Sequence, residues 1–278
     1  MREVAIQKMY STGTLAVLLV LLTILGGCQD REIAMSILNV RPFDMETCSP
    51  ISDDNVFQTS GTIDMALRNT YSATLKVESN LVDIPSSKGF RASDNRVSTN
   101  AILLRSATIE FSTLDQLSAQ IPPKRSIPLS GTLNEGTDLL LTGVEFLDAN
   151  TLDQIRNSQE FISTAQGEAK PVRTSITLLA RIRLSGETLD GREAESNEFL
   201  YPIEVCNGCR VSYPADLVVQ RGGALTCPPP SADSEDSDTE LTCTAGIGMD
   251  SMFADCRTCQ GIAVDSFARQ LCQPPRTP

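Results

Sequence analysis

Histidine and tryptophan are both absent from the 278 residues, and aromatic residues make up only 5%. Without histidine the chain lacks the usual general base, the Ser–His and Cys–His nucleophile systems and the common imidazole ligand for zinc. Carboxylate, lysine or N-terminal chemistry stays open in principle, but no spacing of residues argues for it. Basic residues are scarce as well, with 23 Lys and Arg against 35 Asp and Glu. Such an acidic surface repels phosphate backbones and anionic head groups, so nucleic acid is not an expected partner. Long apolar runs are missing too. The longest, Leu15 to Leu25 with Thr23 inside it, falls short of the roughly 20 residues a helix needs to cross hydrocarbon.

That run has the length of the h-region of a secretory signal, and Arg2 and Lys8 precede it. It ends in Leu25-Gly26-Gly27-Cys28, which resembles the lipobox of bacterial lipoproteins. The resemblance implies that residues 1–27 are removed and that Cys28 becomes the acylated first residue, a lipid anchor in the membrane. Each buried acyl methylene adds about 0.8 kcal/mol, so several chains on one residue hold a protein durably. Gln29 rather than Asp follows the cysteine, which by the same analogy points to the outer membrane of the cell envelope. Residues 1–27 carry two basic and one acidic residue, so the remainder balances 21 basic against 34 acidic.

Apart from Cys28, eight cysteines remain: Cys48, Cys206, Cys209, Cys227, Cys243, Cys256, Cys259 and Cys272. An even number in an exported chain reads as disulfides. Two other readings compete. Cys206-x-x-Cys209 and Cys256-x-x-Cys259 have acceptable ligand chemistry for a zinc ribbon, but the long gap, the four extra cysteines and an oxidising compartment weigh against a metal. A thioredoxin-type redox pair wants a Cys-x-x-Cys opening a helix, whereas "VCNGCRVSYP" leaves a strand. Connectivity stays open, since eight cysteines allow on the order of 100 pairings. Seven tail cysteines making three pairs would leave one for Cys48, so a bridge from Cys48 to the tail is expected.

The body shows the period-two alternation of half-buried strands. Tyr71, Ala73, Leu75 and Val77 form one inward row, opposite Ser72, Thr74, Lys76 and Glu78. Ile176, Leu178, Ala180, Ile182 and Leu184 form a second, opposite Thr177, Arg181 and Arg183. Phe199, Tyr201, Ile203 and Val205 form a third, and Pro202 predicts an edge or bulge there. Asp190-Gly191 between the last two predicts a type I′ hairpin. Residues 101–112 predict a strand whose inward row shifts near Arg105, the mark of a bulge. Shorter strands are predicted at 33–40, 61–67, 125–131 and 139–146. One helix is predicted to start at the capping box Thr151-Leu-Asp-Gln154, with Leu152, Ile155 and Ile162 on one stripe.

Seven or eight such strands without βαβ rhythm predict a mostly β chain, an antiparallel Ig-like β-sandwich with one short helix. "YSATLKVESNLVD", the later "NAILLRSATIEF" and the closing hairpin resemble the late-embryogenesis-abundant type 2 sandwich, found in membrane-tethered proteins. "SNEFLYPIEVCNGC" is similar to uncharacterised cysteine-rich bacterial lipoproteins, a family that implies location and shape but no reaction. The expected parts are a signal peptide 1–27, a lipidated stalk 28–48, a sandwich domain 49–206 and a cysteine-rich tail 207–278. An acidic disordered loop is expected at 228–241.

Three functions compete. One is a tethered structural or protein-interaction module with an unidentified envelope partner and no cofactor. Another is a carrier of a lipid or other apolar ligand, with "DLLLTGVEFL" lining its site. The third is an enzyme using Asp64, Glu110 and Glu145, were these carboxylates to converge. Nothing in the sequence orders them into a pair, so no catalytic residue is assigned.

Overall fold

The computed structural model describes residues 33–44, 47–81, 99–113, 115, 117–164, 168–221, 224–228 and 246–275. The expected signal peptide, Cys28, Cys243 and the acidic loop beyond residue 228 lie outside the described residues. The fold is mostly β. Its larger strands are β1 (Ile33–Arg41), β2 (Gly61–Asp64), β3 (Tyr71–Ser79), β4 (Ile102–Thr113), β5 (Lys124–Leu133) and β6 (Asp138–Leu147). Helix α1 (Ala149–Arg156) and the two-residue strands β7 (Ile162–Ser163) and β8 (Lys170–Pro171) follow. Then come β9 (Ser175–Thr188), β10 (Glu193–Ser196) and β11 (Phe199–Cys206). The tail holds β12 (Val211–Ser212), β13 (Val219–Arg221), β14 (Ala224–Thr226), β15 (Ala254–Asp255), helix α2 (Cys256–Ile262) and a 3-10 helix, Ala268–Cys272.

Among the described residues one sheet of nine strands carries the body, and it forks at β9. Along one edge β9 pairs with β4, which pairs with β5. Along its other edge the first half of β9 pairs with β11 and the last part with β10. From β10 the order runs through β1 and β3 to β6, and from β11 to β2. The fork has a local cause. The return from the hairpin breaks at Asn197, whose amide accepts from the Ile37 N–H at 2.7 Å and donates to the Ile37 carbonyl at 3.3 Å. Those bonds hold β1 beside the break while β11 continues along β9.

Both arms bury their inward rows in one core. Tyr71, Leu75 and Val77 of β3 are buried with Leu178, Ala180 and Ile182 of β9 and Tyr201, Ile203 and Val205 of β11. Full burial of each such large apolar side chain contributes about 1.5–3 kcal/mol. The Phe146 and Tyr201 rings meet edge-on with centroids 5.9 Å apart. The expected bulge at Arg105 is present: both pairings of β4 shift register between Leu104 and Ser106. Pro202 sits where its missing N–H costs nothing, since pairing of β11 with β2 begins only at Ile203.

Several expectations change. The sheet is largely antiparallel, but β1 pairs with β10 and β2 with β11 in parallel, because the early strands fill the fork rather than add to a meander. β1 draws residues 33–41 of the expected stalk into the sheet, with Met35 and Val40 fully buried. The turn at Asp190-Gly191 is not type I′, which needs positive φ at both residues. Only Gly191 is left-handed there (φ +86°). Thr188 N–H bonds the Arg192 carbonyl at 2.9 Å, closing a three-residue loop whose last member is that glycine. Helix α1 starts earlier than predicted: Asp148 is its cap, accepting from the Thr151 N–H at 2.8 Å. Leu152 and Ile155 face the core as expected, while Ile162 has left the helix for β7.

Thr74 and Lys76, expected on a wet face, are buried. The segment after β1 reaches over Lys76, whose ammonium bonds the Asp54 and Asp138 carboxylates at 2.5 and 2.8 Å. The tail is not a separate body. Ile63 bridges Met249, and Leu67 joins a second apolar cluster with Val211, Ile247, Ala254 and four cysteines. Among the described residues no helix is long and apolar enough to cross a membrane.

Candidate functional site

β1 carries its own irregularity at the fork. Its pairing with β3 shifts register between Ile37 and Asn39, so Leu38 is the extra residue of a bulge and is turned outward, 42% exposed. On β11, Leu200 belongs to the outward row with Pro202 and Glu204 and is 50% exposed. Phe57, 53% exposed, arrives from the segment that bridges β1 to β2. Gln58 N–H bonds the Val40 carbonyl at 2.9 Å, and pairing with β11 starts three residues later at Gly61. Leu38, Phe57, Phe199 and Leu200, with Asn39, Gln58 and Thr59, line one open groove of about 440 Å³.

Buried Arg41 fixes the segment that presents Phe57. Its guanidinium donates to the carbonyl oxygens of Asp53 and Val56 and to the Asp54 carboxylate. Asp53 shapes the turn by accepting from the Asn55 N–H at 2.9 Å. The Lys76 ammonium beside Asp54 holds that carboxyl below the usual carboxylate range. The loop is thus clamped from beneath by two cations, and the groove wall it supplies is ordered by chain chemistry rather than by burial.

Tail and body meet at the end of β2. Asp64 is fully buried and accepts from the N–H groups of Ala66 (2.9 Å), Gly208 (2.8 Å) and Arg210 (2.7 Å). Desolvation outweighs these donors and raises its carboxyl above the ordinary range. The left-handed Gly208 (φ +76°) turns the chain between Cys206 and Cys209. Arg173 bonds the Gly208 carbonyl at 2.7 Å, the Tyr213 hydroxyl and the carbonyls of Leu271 and Gln273. One guanidinium therefore ties together three separate stretches of the tail.

Cys206 is bonded to Cys209, Cys227 to Cys256 and Cys259 to Cys272. Cys48 is also disulfide-bonded. The two Cys-x-x-Cys pairs thus do not converge as a ribbon would require: the first closes on itself and the second sends its sulfurs to different partners. Nor does Cys206-x-x-Cys209 open a helix. No local pattern announces that Asp64, far away in the chain, lies against it. The Asp64 carboxylate and the two sulfurs all fall within 4.8 Å of one another.

The other carboxylates singled out in the sequence stay apart. Glu110 on β4 pairs with Lys124 at 3.4 Å and Arg181 at 4.0 Å. Glu145 on β6 bonds Arg125. Each is held by its own cations, and neither shares a partner with Asp64. Within "DLLLTGVEFL", Leu141, Val144, Phe146 and Leu147 are buried in the core, so most of that apolar run is spent on packing. Compared with protein-family models, curated proteins and solved structures, the chain matches none.

Proposed function

We propose that this chain is a lipid-anchored envelope protein whose body is a protein-interaction module, docking a partner through the groove beside Leu200. The observation that carries the reading is the cluster of Leu38, Phe57 and Leu200, each at least 42% exposed and all lining one groove. Single exposed apolar residues are ordinary, but aromatic and aliphatic groups gathered on an ordered concave surface are the usual core of a binding patch. Two features support recruitment of these residues to the surface: the bulge that turns Leu38 outward and the clamp on the Phe57 segment.

The forked sheet, with two arms sharing one core, supports reading the body as an Ig-like sandwich. Acylation of Cys28 supplies the tether, and the outer membrane is the address the sequence favours. The partner is an envelope protein with an apolar projection and few acidic groups, since the chain carries a net charge of −12.

Metabolic labelling with an alkyne palmitate analogue tests the tether: label is expected on the wild-type chain and none on Cys28→Ala. A photoreactive amino acid at position 200 tests the groove. It is expected to crosslink one discrete envelope protein, while the same group at exposed position 193 does not. An unlabelled wild-type chain removes the tether, and equal or absent crosslinking at the two positions removes the docking surface.

A further inference from the structure

We propose that Cys206–Cys209 is an exchangeable disulfide at which the chain takes two electrons from a partner bearing two thiols. The inference is independent of the groove beside Leu200 and rests on the body–tail junction.

Accessibility separates this bridge from the others described in full. Cys227, Cys256, Cys259 and Cys272 are sealed in the second apolar cluster. Cys206 is fully buried, but Cys209 is exposed. An attacking thiolate therefore reaches one sulfur of the bridge and not the other. The bridge also closes a span of only 3 residues, against 29 and 13 for its neighbours. In the chain-entropy model it stabilises the fold least of the three.

Its loop keeps its shape by other means. The Cys206 carbonyl accepts from the Met65 N–H at 2.8 Å, and Asn207 N–H bonds the Thr174 carbonyl at 3.1 Å. Asp64 holds the N–H groups of Gly208 and Arg210, and Arg173 holds the Gly208 carbonyl. Opening the S–S bond breaks none of these. The two thiols stay positioned for closure, as exchange in both directions requires.

Atoms and electrons balance in two steps. A partner thiolate attacks the Cys209 sulfur, forming a mixed disulfide, and Cys206 leaves as a thiolate. That thiolate lies beside Asp64, whose carboxyl is raised above its ordinary range by burial and relays a proton from solvent to the sulfur. The partner's second thiolate then attacks its own sulfur in the mixed disulfide. The partner leaves with an internal disulfide, and Cys209 leaves as a thiolate that is protonated from solvent. Two electrons and two protons pass to the chain.

The native full chain, treated with graded dithiothreitol, quenched in acid, then alkylated under denaturing conditions and mapped by mass spectrometry, tests this. Cys206 and Cys209 are expected to label at least tenfold faster than Cys227, Cys256, Cys259 and Cys272, with the far-ultraviolet circular dichroism unchanged. Equal rates, or labelling that tracks unfolding, overturn the proposal. Two single-thiol variants test the polarity. Cys209 in Cys206→Ser should form a mixed disulfide with oxidised glutathione at least tenfold faster than Cys206 in Cys209→Ser, and equal reactivity overturns the assignment. The pH profile tests Asp64. Corrected for the reductant's thiolate fraction, the wild-type opening rate should rise toward acid, and Asp64→Asn should flatten it. A flat wild-type profile removes Asp64 from the step even if the variant does not fold.

Discussion

The hydroxyls of Tyr71 and Tyr201 lie 3.3 Å apart in the buried core, one from β3 and one from β11. Tyr71 also donates to the Asp250 carboxylate at 3.0 Å, and Tyr201 to the Gln58 side chain at 3.4 Å. The two arms of the sheet and the tail thus meet in one polar knot inside an apolar core. Such a knot is valuable only while every member is satisfied.

Gly61 passes directly over this knot, and a Cβ there would collide with the Tyr71 hydroxyl, with the ring carbon bearing it only 2.6 Å away. Both tyrosine rings are packed on all sides and cannot yield. Gly61→Ala should cost about 1–3 kcal/mol through overpacking, read as a lower urea midpoint at unchanged m-value. Gly136→Ala is the control: it has open space around it but a φ of +61°, so its loss should be limited to backbone strain of about 1 kcal/mol.

Asp250 is raised above its ordinary range by burial, which outweighs the donors Thr62 N–H and Tyr71 O–H. A raised folded-state pKa means that protonation favours the folded form. The stabilisation is complete below the unfolded value near 4 and is lost as pH rises through the folded one. Asp250→Asn does not titrate. The stability of wild type relative to this variant should therefore fall as pH rises above about 4 in urea titrations. A flat or rising difference contradicts the assignment.

Arg41 should matter to the groove more than to the fold. Arg41→Met leaves the carbonyl oxygens of Asp53 and Val56 without their donor, at about 1–3 kcal/mol. The apolar replacement preserves packing beside β3. Limited proteolysis should then cut between residues 51 and 58, and crosslinking from position 200 should weaken. Unchanged protease resistance would show that the segment is held by other contacts.

Cys48 is disulfide-bonded while six tail cysteines pair among themselves. On the proposal that Cys28 carries the lipid, Cys243 is the remaining partner. Non-reducing peptide mapping should recover a Cys48–Cys243 peptide, which would close a loop across most of the chain. In the chain-entropy model such a bridge contributes on the order of 5 kcal/mol. A free Cys48 or Cys243 thiol in the mature protein would refute the pairing.

The strands were legible because alternation is local. The rows at Tyr71–Val77, Ile176–Leu184 and Tyr201–Val205 are buried as their spacing requires, and even the bulge at Arg105 left its mark as a phase shift. The place of the turn at Asp190-Gly191 is legible in the sequence but its type is not, since one dipeptide fits more than one loop length. Of the groove, Leu200 lay on the predicted outward row, whereas Leu38 became exposed only through a bulge that its own strand did not announce. Asp64 was singled out as a carboxylate in a strand, yet its role depends on Gly208, 144 residues away.

The sequence by itself determined which segments are strands, which face of each is apolar and that the tail is crosslinked. These properties follow from side chains a few residues apart. Only the tertiary structure decided which edges pair, which sulfurs bond, what covers Lys76 and what lies beneath Cys206. The reason is physical: a strand's side chains choose its face, but its edge offers the same N–H and C=O groups at nearly every position. The neighbour of each edge is therefore selected by the packing of the whole core, not by anything written along that strand.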